Sequence, residues 1–189
     1  MASVHIVAVS PLENCSINEL VPPIAESFKI NVRALSSPVV DASFAFDISR
    51  NQFSSTLLLS ALTEKFSTSA DKILGITSAD LFVPVLTYVF GEAQFNGRSA
   101  IVSTYRLHES FYGLNENVQL TKSRIVKEAI HELGHTFGLP HCQDYLCVMH
   151  SSTGVEEIDL KTKQFCSICE RLLEKKIKLV DSSTNTSGL

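Results

Sequence analysis

Residues 131–142 read HELGHTFGLPHC, and this stretch decides how the C-terminal half of the chain is interpreted. Upstream of it, apolar side chains recur every four residues, which predicts a helix over Thr121–Phe137. A glycine and a proline directly after this segment end the helix. His131 and His135 therefore lie one turn apart on the same helical face, where both imidazoles can reach one metal ion.

A third histidine completes the pattern. Gly138 allows the chain to turn sharply, so that His141 can return as a third nitrogen ligand. Three protein ligands leave one position of a tetrahedral zinc ion open for water, which is typical of a catalytic site. Glu132 is offset around the helix and can reach that water. The alternative is a surface helix with unrelated histidines and a solvated glutamate, but the helical period and the glycine favour the metal site.

Four of the five cysteines crowd into the last third of the chain, at Cys142, Cys147, Cys166 and Cys169. Two such pairs can supply four thiolates to a tetrahedral structural zinc, which predicts a zinc subsite within residues 142–169. Unpaired thiols and two disulfides are the alternatives. Cys15 is left over, and it is either a small core residue or a thiol that blocks the catalytic zinc.

The composition indicates a folded protein that does not bind nucleic acid. The chain has 189 residues, of which 44% are hydrophobic and 19% charged, enough apolar material for a core. A net charge of -4 lacks the basic footprint of a nucleic-acid binder. The longest mainly apolar run, Leu81–Phe90, is too short to cross a bilayer, and no signal peptide precedes it. We therefore expect a cytoplasmic monomer without a membrane anchor or propeptide.

Hydrophobic periodicity and turn residues predict the order of the elements. The predicted strands and extended segments are Ser3–Val9, Asn31–Leu35, Lys72–Thr77, Val85–Phe90 and Ser99–Thr104. The predicted helices are Pro22–Phe28, Gln52–Phe66, Thr121–Phe137 and Cys166–Leu179, with a loop over Ser37–Arg50. Strands that alternate with helices predict an α/β (α+β) fold, in which a twisted mixed sheet has an antiparallel edge strand. We expect a single domain over residues 1–180 and a flexible tail over 181–189.

The cysteines and the histidine motif together resemble the archaemetzincin family of zinc peptidases. The HELGHTFGLPH part alone is similar to the wider metzincin clan. The similarity covers roughly residues 50–169 well and the first fifty residues loosely. The stretches that carry it, besides residues 131–142, are Cys147–Met149, Cys166–Cys169, Gly75–Phe82, Phe90–Ala93, Ser103, Arg106–Leu107 and Lys127–Ala129.

The resemblance implies two zinc ions per chain. It makes His131, His135 and His141 ligands of the catalytic zinc, and it makes the four clustered cysteines ligands of the second. Glu132 would be the general base and acid. Met149 would form the Met-turn, a hydrophobic base beneath the histidines, although a thioether can equally be read as gap-filling core.

The resemblance also implies an edge strand within Phe90–Thr104, and an extended substrate could pair antiparallel to that strand through main-chain hydrogen bonds. Tyr145 and His150 are close to the histidines in sequence, so either could stabilise an oxyanion, but a solvated or capping role is favoured for each. The function that follows is a zinc-dependent metallopeptidase with a peptide substrate. The alternative is a zinc-stabilised peptide-binding module with little or no hydrolysis.

Overall fold

The computed structural model describes residues 2–68 and 70–185. In chain order, the elements are β1 Ser3–Ser10, α1 Val21–Phe28, β2 Asn31–Asp41, β3 Phe46–Asp47, β4 Gln52–Ser54, α2 Ser55–Lys65, β5 Lys72–Thr77, β6 Leu81–Phe82, β7 Gly91–Ala93, β8 Ser99–Ser103, α3 Val118–Thr136, α4 Val155–Leu160 and α5 Ser167–Asn185. The main sheet has the strand order β2-β1-β5-β8-β7, and a small sheet has the order β3-β4-β6.

The main sheet is mixed, and its only antiparallel pair in the described chain is β7 with β8 at one edge. Successive strand residues point to opposite sides of the sheet, so both faces carry apolar side chains, and helices cover both faces. Val4 and Ile6 of β1 pack into a core with α1, α3 and α5, whereas Val7 and Val9 pack against α2. The predicted α/β fold class, with a mixed sheet and an antiparallel edge strand, is confirmed.

Strand β7 lies within the predicted region Phe90–Thr104, but the neighbouring prediction of an extended Val85–Phe90 is wrong over most of its length. Val85 is 88% exposed, and residues 84–87 form turns and bends. Only Val89 makes an isolated antiparallel bridge, to Leu81. β-Propensity reflects how well a side chain packs on a half-buried sheet, and an exposed side chain such as Val85 has no such surface to pack against.

Other predicted boundaries also move. The helix predicted from Gln52 begins at Ser55, since residues 52–54 form β4 and the Ser54 hydroxyl caps α2 by accepting from Leu57 N at 3.4 Å. Part of the loop predicted over Ser37–Arg50 is strand, because β2 continues beside β1 to Asp41 after a register shift.

At the C-terminus, the last helix continues past Leu179 to Asn185. The helix thus enters the segment predicted as a flexible tail over 181–189; the flexibility stays a prediction, and residues 186–189 lie outside the described residues. Helix α4 was not predicted, because six residues are too few to show a helical period. Within the described ranges, no helix combines the length and apolar character that a bilayer crossing requires.

Candidate active site

Helix α3 is held against α4 by buried charges. Asn117 caps its start by accepting from Leu120 N at 3.1 Å, so the helix begins three residues before the predicted Thr121. Arg124 is almost fully buried and forms a two-pronged pair with Asp159, at 2.8 and 2.7 Å. Lys127 Nζ donates to the Ile158 carbonyl at 2.9 Å. These contacts tie α3 to α4 and give the helix a defined position beneath the edge strand.

The end of α3 brings three imidazoles together. His131, His135 and His141, called here the histidine cluster, have ring centroids 4.7, 4.9 and 5.3 Å apart. One nitrogen of each ring lies within 4.8 Å of the others. Gly138, at φ +83°, ends the helix in the left-handed conformation and returns the chain so that His141 reaches the other two.

The hydrogen bonds of two of these rings fit a bound metal ion. His131 Nδ1 lies 2.8 Å from the Val148 carbonyl, and His135 Nδ1 lies 2.7 Å from the Leu139 carbonyl. A carbonyl only accepts, so each Nδ1 carries the proton and each Nε2 presents a lone pair. The two Nε2 atoms are 3.1 Å apart, which is close to the separation of two nitrogen ligands on one tetrahedral zinc ion.

Burial keeps these rings in the neutral form that binds metal. It lowers the pKa of His131 well below its ordinary value, and the charge of Lys161 lowers it further. Burial also lowers the pKa of His135 and His141. At neutral pH the cluster therefore offers three unprotonated donors, as zinc requires.

Met149 packs against helix α3 at Gly134, the residue before His135. Its side chain is fully buried, and a Cβ added at Gly134 would lie only 2.4 Å from Met149 Sδ. A glycine is therefore needed at this point of the helix, because the thioether rests against its backbone. The preceding residue, Val148, supplies the carbonyl that orients His131.

Glu132 lies in a cleft between the segment that leads into β7 and the loop after Met149. The cavity holds about 330 Å³ and is bordered by residues 86–91 on one wall and 151–153 on the other, with His131, Glu132 and His141 at its base. A Cβ at Gly91 would lie 2.6 Å from Glu132 Cγ, so the bare backbone of β7 makes room for the carboxylate. Burial and the neighbouring Glu128 raise the pKa of Glu132 well above its ordinary value.

Sequence reasoning missed a buried ion pair beside this carboxylate. Lys161 has a fully buried side chain, and its Nζ lies 2.9 Å from Glu128 Oε1. The Lys161 charge opposes the rise in the pKa of Glu132. The sequence signal for this pair was Glu128, which precedes Glu132 by one helical turn and so lies on the same face of the helix. A glutamate on a helix is ordinarily interpreted as solvated.

The cysteine cluster, Cys142, Cys147, Cys166 and Cys169, forms a second group of converging donors within 4.8 Å of one another. All are free thiols, so the disulfide alternative is wrong. Cys142 Sγ and Cys166 Sγ are 3.7 Å apart. Four sulfurs at about 2.3 Å around a tetrahedral zinc would be spaced by about 3.8 Å, so the geometry fits this ion.

The remaining candidates lie outside both clusters. Cys15 lines a cavity with Thr121 and Lys122 at the N-terminal end of α3, so it is not placed to block the histidine cluster. His150 Nδ1 donates to the Cys142 carbonyl at 2.9 Å, and the Tyr145 ring packs on His150 with 4.5 Å between centroids. Tyr145 is 73% exposed, which favours a surface role.

Comparison with known proteins shows which family this chain resembles. The model of peptidase family M54 matches residues 28–175. The archaemetzincin of Methanocaldococcus jannaschii is 42% identical over 133 residues, which are 70% of this chain and 72% of that protein.

Solved structures show the same relationship. The crystal structure of the Methanopyrus kandleri archaemetzincin is similar with a TM-score of 0.78 and 34% identity, covering 94% of this chain and 96% of the other. A zinc-dependent peptidase from Methanocorpusculum labreanum is similar with a TM-score of 0.81 and 29% identity, covering 90% of this chain and 99% of the other.

Proposed function

Since this chain belongs to peptidase family M54, the archaemetzincins, and is a zinc metallopeptidase, we propose that its histidine cluster holds the catalytic zinc and that Glu132 is the general base and acid. The observation that carries the proposal is the pair of facing Nε2 atoms, 3.1 Å apart, beside a cleft that contains a buried carboxylate. A mere structural metal site needs neither the cleft nor the carboxylate.

When bound, zinc supplies Lewis-acid polarisation of the substrate carbonyl and lowers the pKa of a water molecule toward neutrality. Glu132 would take a proton from the water molecule that attacks the peptide carbonyl. The same carboxyl group then delivers the proton to the leaving amine. Burial raises the pKa of Glu132, which favours its holding a proton between the two steps.

The edge strand supplies the means to bind an extended peptide. Phe90 O accepts from Ser103 N at 2.8 Å, and Gln94 N donates to Ser99 O at 3.0 Å. Peptide groups alternate along an antiparallel ladder, so those of Gly91 and Ala93 point away from β8. A substrate that pairs antiparallel to β7 gains hydrogen bonds from these groups independently of its side chains.

The cysteine cluster is proposed to hold a second, structural zinc, which makes two zinc ions per chain. Four thiolates complete a tetrahedron and leave no position for water, so no chemistry is assigned to this site. Met149 is proposed to serve as the hydrophobic base of the histidine cluster. Every proposed ligand comes from one chain, which supports action as a monomer.

Replacement of the carboxylate separates the peptidase from the alternative, a zinc-stabilised binding module. We expect Glu132→Ala to retain two zinc ions by elemental analysis and to lose about 10²- to 10⁴-fold in the cleavage rate of a peptide library. Undiminished cleavage by this variant would remove Glu132 from the mechanism. Peptide binding without cleavage by the zinc-loaded wild type would favour the module.

A further inference from the structure

The free edge of β7 ends abruptly at Gly91. The next peptide group that points away from β8 belongs to Val89, and its N–H already donates to Leu81 O at 2.9 Å. The small sheet thus occupies the edge that a substrate strand would follow beyond Gly91. A peptide paired with Ala93 and Gly91 cannot continue its ladder in this direction.

A side chain crosses the cleft at the same end. The Tyr88 hydroxyl, on one wall, donates to the Thr153 carbonyl on the other wall at 2.7 Å. The two residues are separated by 65 positions in sequence, and both border the cavity that contains Glu132. This contact, called here the Tyr88–Thr153 bridge, joins the two walls.

The Tyr88 side of the bridge is held in place by its own contacts. The Arg106 guanidinium lies 4.1 Å from the centre of the Tyr88 ring, and Asp80 fixes that guanidinium with two bonds of 2.7 Å. Arg50 donates to the Leu86 carbonyl at 2.6 Å and anchors the preceding segment.

The Thr153 side is held as well. The Thr153 hydroxyl donates to Glu157 Oε2 at 3.0 Å, and the Thr153 N–H also contacts that carboxylate. Glu157 belongs to α4, which Arg124 and Lys127 tie to α3. The bridge is thus a built wall of the cleft rather than a chance contact between two loose loops.

The direction of the proposed substrate decides which part of it meets this wall. A peptide antiparallel to β7 runs from Ala93 toward Gly91, so residues after the scissile bond lie beside Tyr88. From Gly91 to Tyr88 there are three residue steps, or about 10 Å of extended chain. On the opposite side, residues before the scissile bond lie toward Phe95, which is 62% exposed and close to His135.

We infer that the Tyr88–Thr153 bridge closes the C-terminal side of the cleft and makes Tyr88 a specificity-determining residue. The enzyme then prefers substrates with only about two or three residues after the scissile bond. This inference rests on the proposed function for the direction of the substrate. It names a substrate class: peptides cut near their C-terminal end.

The test measures binding, so that it does not depend on turnover. Phosphinic peptides, which carry a metal-binding phosphinate in place of the scissile bond, are titrated into the two-zinc protein by calorimetry. One series is lengthened from one to six residues on the C-terminal side, and a second series is lengthened on the N-terminal side. We expect affinity to fall about tenfold beyond three C-terminal residues, since a longer chain must break the bridge, with no such fall in the N-terminal series.

Two tyrosine variants isolate the bridge. Tyr88→Phe keeps the ring but removes the hydroxyl, and we expect it to recover about threefold to tenfold in affinity for five-residue C-terminal extensions. Extensions of two residues should change by less than about twofold, because they do not reach the bridge. Tyr112→Phe is the matched control, since its hydroxyl also donates to a carbonyl, Arg106 O at 3.0 Å, without bordering the cleft.

Equal affinity for short and long C-terminal extensions in the wild type would overturn the inference. So would a fall confined to the N-terminal series, or the same response from both tyrosine variants. Failure of the proposed function looks different: a length limit without any Glu132-dependent cleavage would contradict that function alone. Glu132-dependent cleavage with no length limit would contradict this inference alone.

Discussion

The histidine cluster and the cysteine cluster both bring metal-donor atoms together, but they differ in the number of donors and in their surroundings. The first has three donors, two of them on one rigid helix, and it opens onto a cleft with a buried carboxylate beside it. The second has four donors, all of them placed on loops or at the start of α5. The number of protein donors thus separates a site with room for water from a closed one.

The two clusters are also joined through neighbouring residues of the chain. Cys142 directly follows His141, and Cys147 directly precedes Val148, whose carbonyl orients His131. The cysteine cluster is therefore next in sequence both to the loop that returns His141 and to the residue whose carbonyl contacts His131. Helix α3, which carries His131 and His135, is also anchored to α4 by the pair of Arg124 with Asp159.

The largest effect is expected from His135→Ala. Loss of a ligand removes the catalytic zinc, so peptide cleavage should fall by at least about 10⁴-fold, while the melting temperature changes little. Elemental analysis should show one zinc instead of two. His108→Ala is the control histidine, and it should keep both ions and full activity. Retention of two zinc ions by His135→Ala would contradict the ligand assignment.

Cys147→Ser tests the cysteine cluster, where the main effect is expected on stability rather than on catalysis. Loss of this thiolate should cost more than about 4 kcal/mol in the free energy of unfolding, because binding of the proposed structural zinc would be coupled to folding. It should also weaken zinc binding at the histidine cluster, since the support of His131 is lost. Thermal unfolding and zinc titration measure both effects, with Cys15→Ser as control. An unchanged unfolding midpoint would argue against a structural zinc.

A smaller effect is expected from Gly134→Ala. The added methyl would lie 2.4 Å from Met149 Sδ, so the base of the histidine cluster must shift, at a cost of about 1 to 3 kcal/mol in unfolding free energy. Gly154→Ala is the matched control, because its methyl meets only the end of the flexible Glu156 side chain. Denaturant unfolding compares the two. Equal stability would show that Met149 does not need close contact with the helix.

The smallest effect is expected from Tyr145→Phe. An exposed ring that packs on His150 does not need its hydroxyl, so kcat/KM for a cleaved peptide should change by less than about twofold. A loss of about a hundredfold or more would instead restore the interpretation of Tyr145 as an oxyanion donor.

Long amphipathic elements and ligand spacing were predictable because they are local. The helix over Thr121–Phe137 was predicted to within three residues at its start, and Lys72–Thr77 is a strand with the predicted bounds. Short elements were not: β4 and α4 span too few residues to show a period, and tertiary packing decides their conformation. The extended Val85–Phe90 failed for the same reason, since nothing covers Val85.

By itself, the sequence determined which side chains could serve as metal donors and that two of them share one helical face, because a spacing of four residues is a property of the helix. Only the tertiary structure decided that Gly91 makes room for Glu132, that Lys161 pairs with Glu128 and that Tyr88 crosses the cleft to Thr153. These contacts join residues far apart in the chain. Their geometry depends on how the sheet, α3 and the loop after Met149 pack together, which no local pattern encodes.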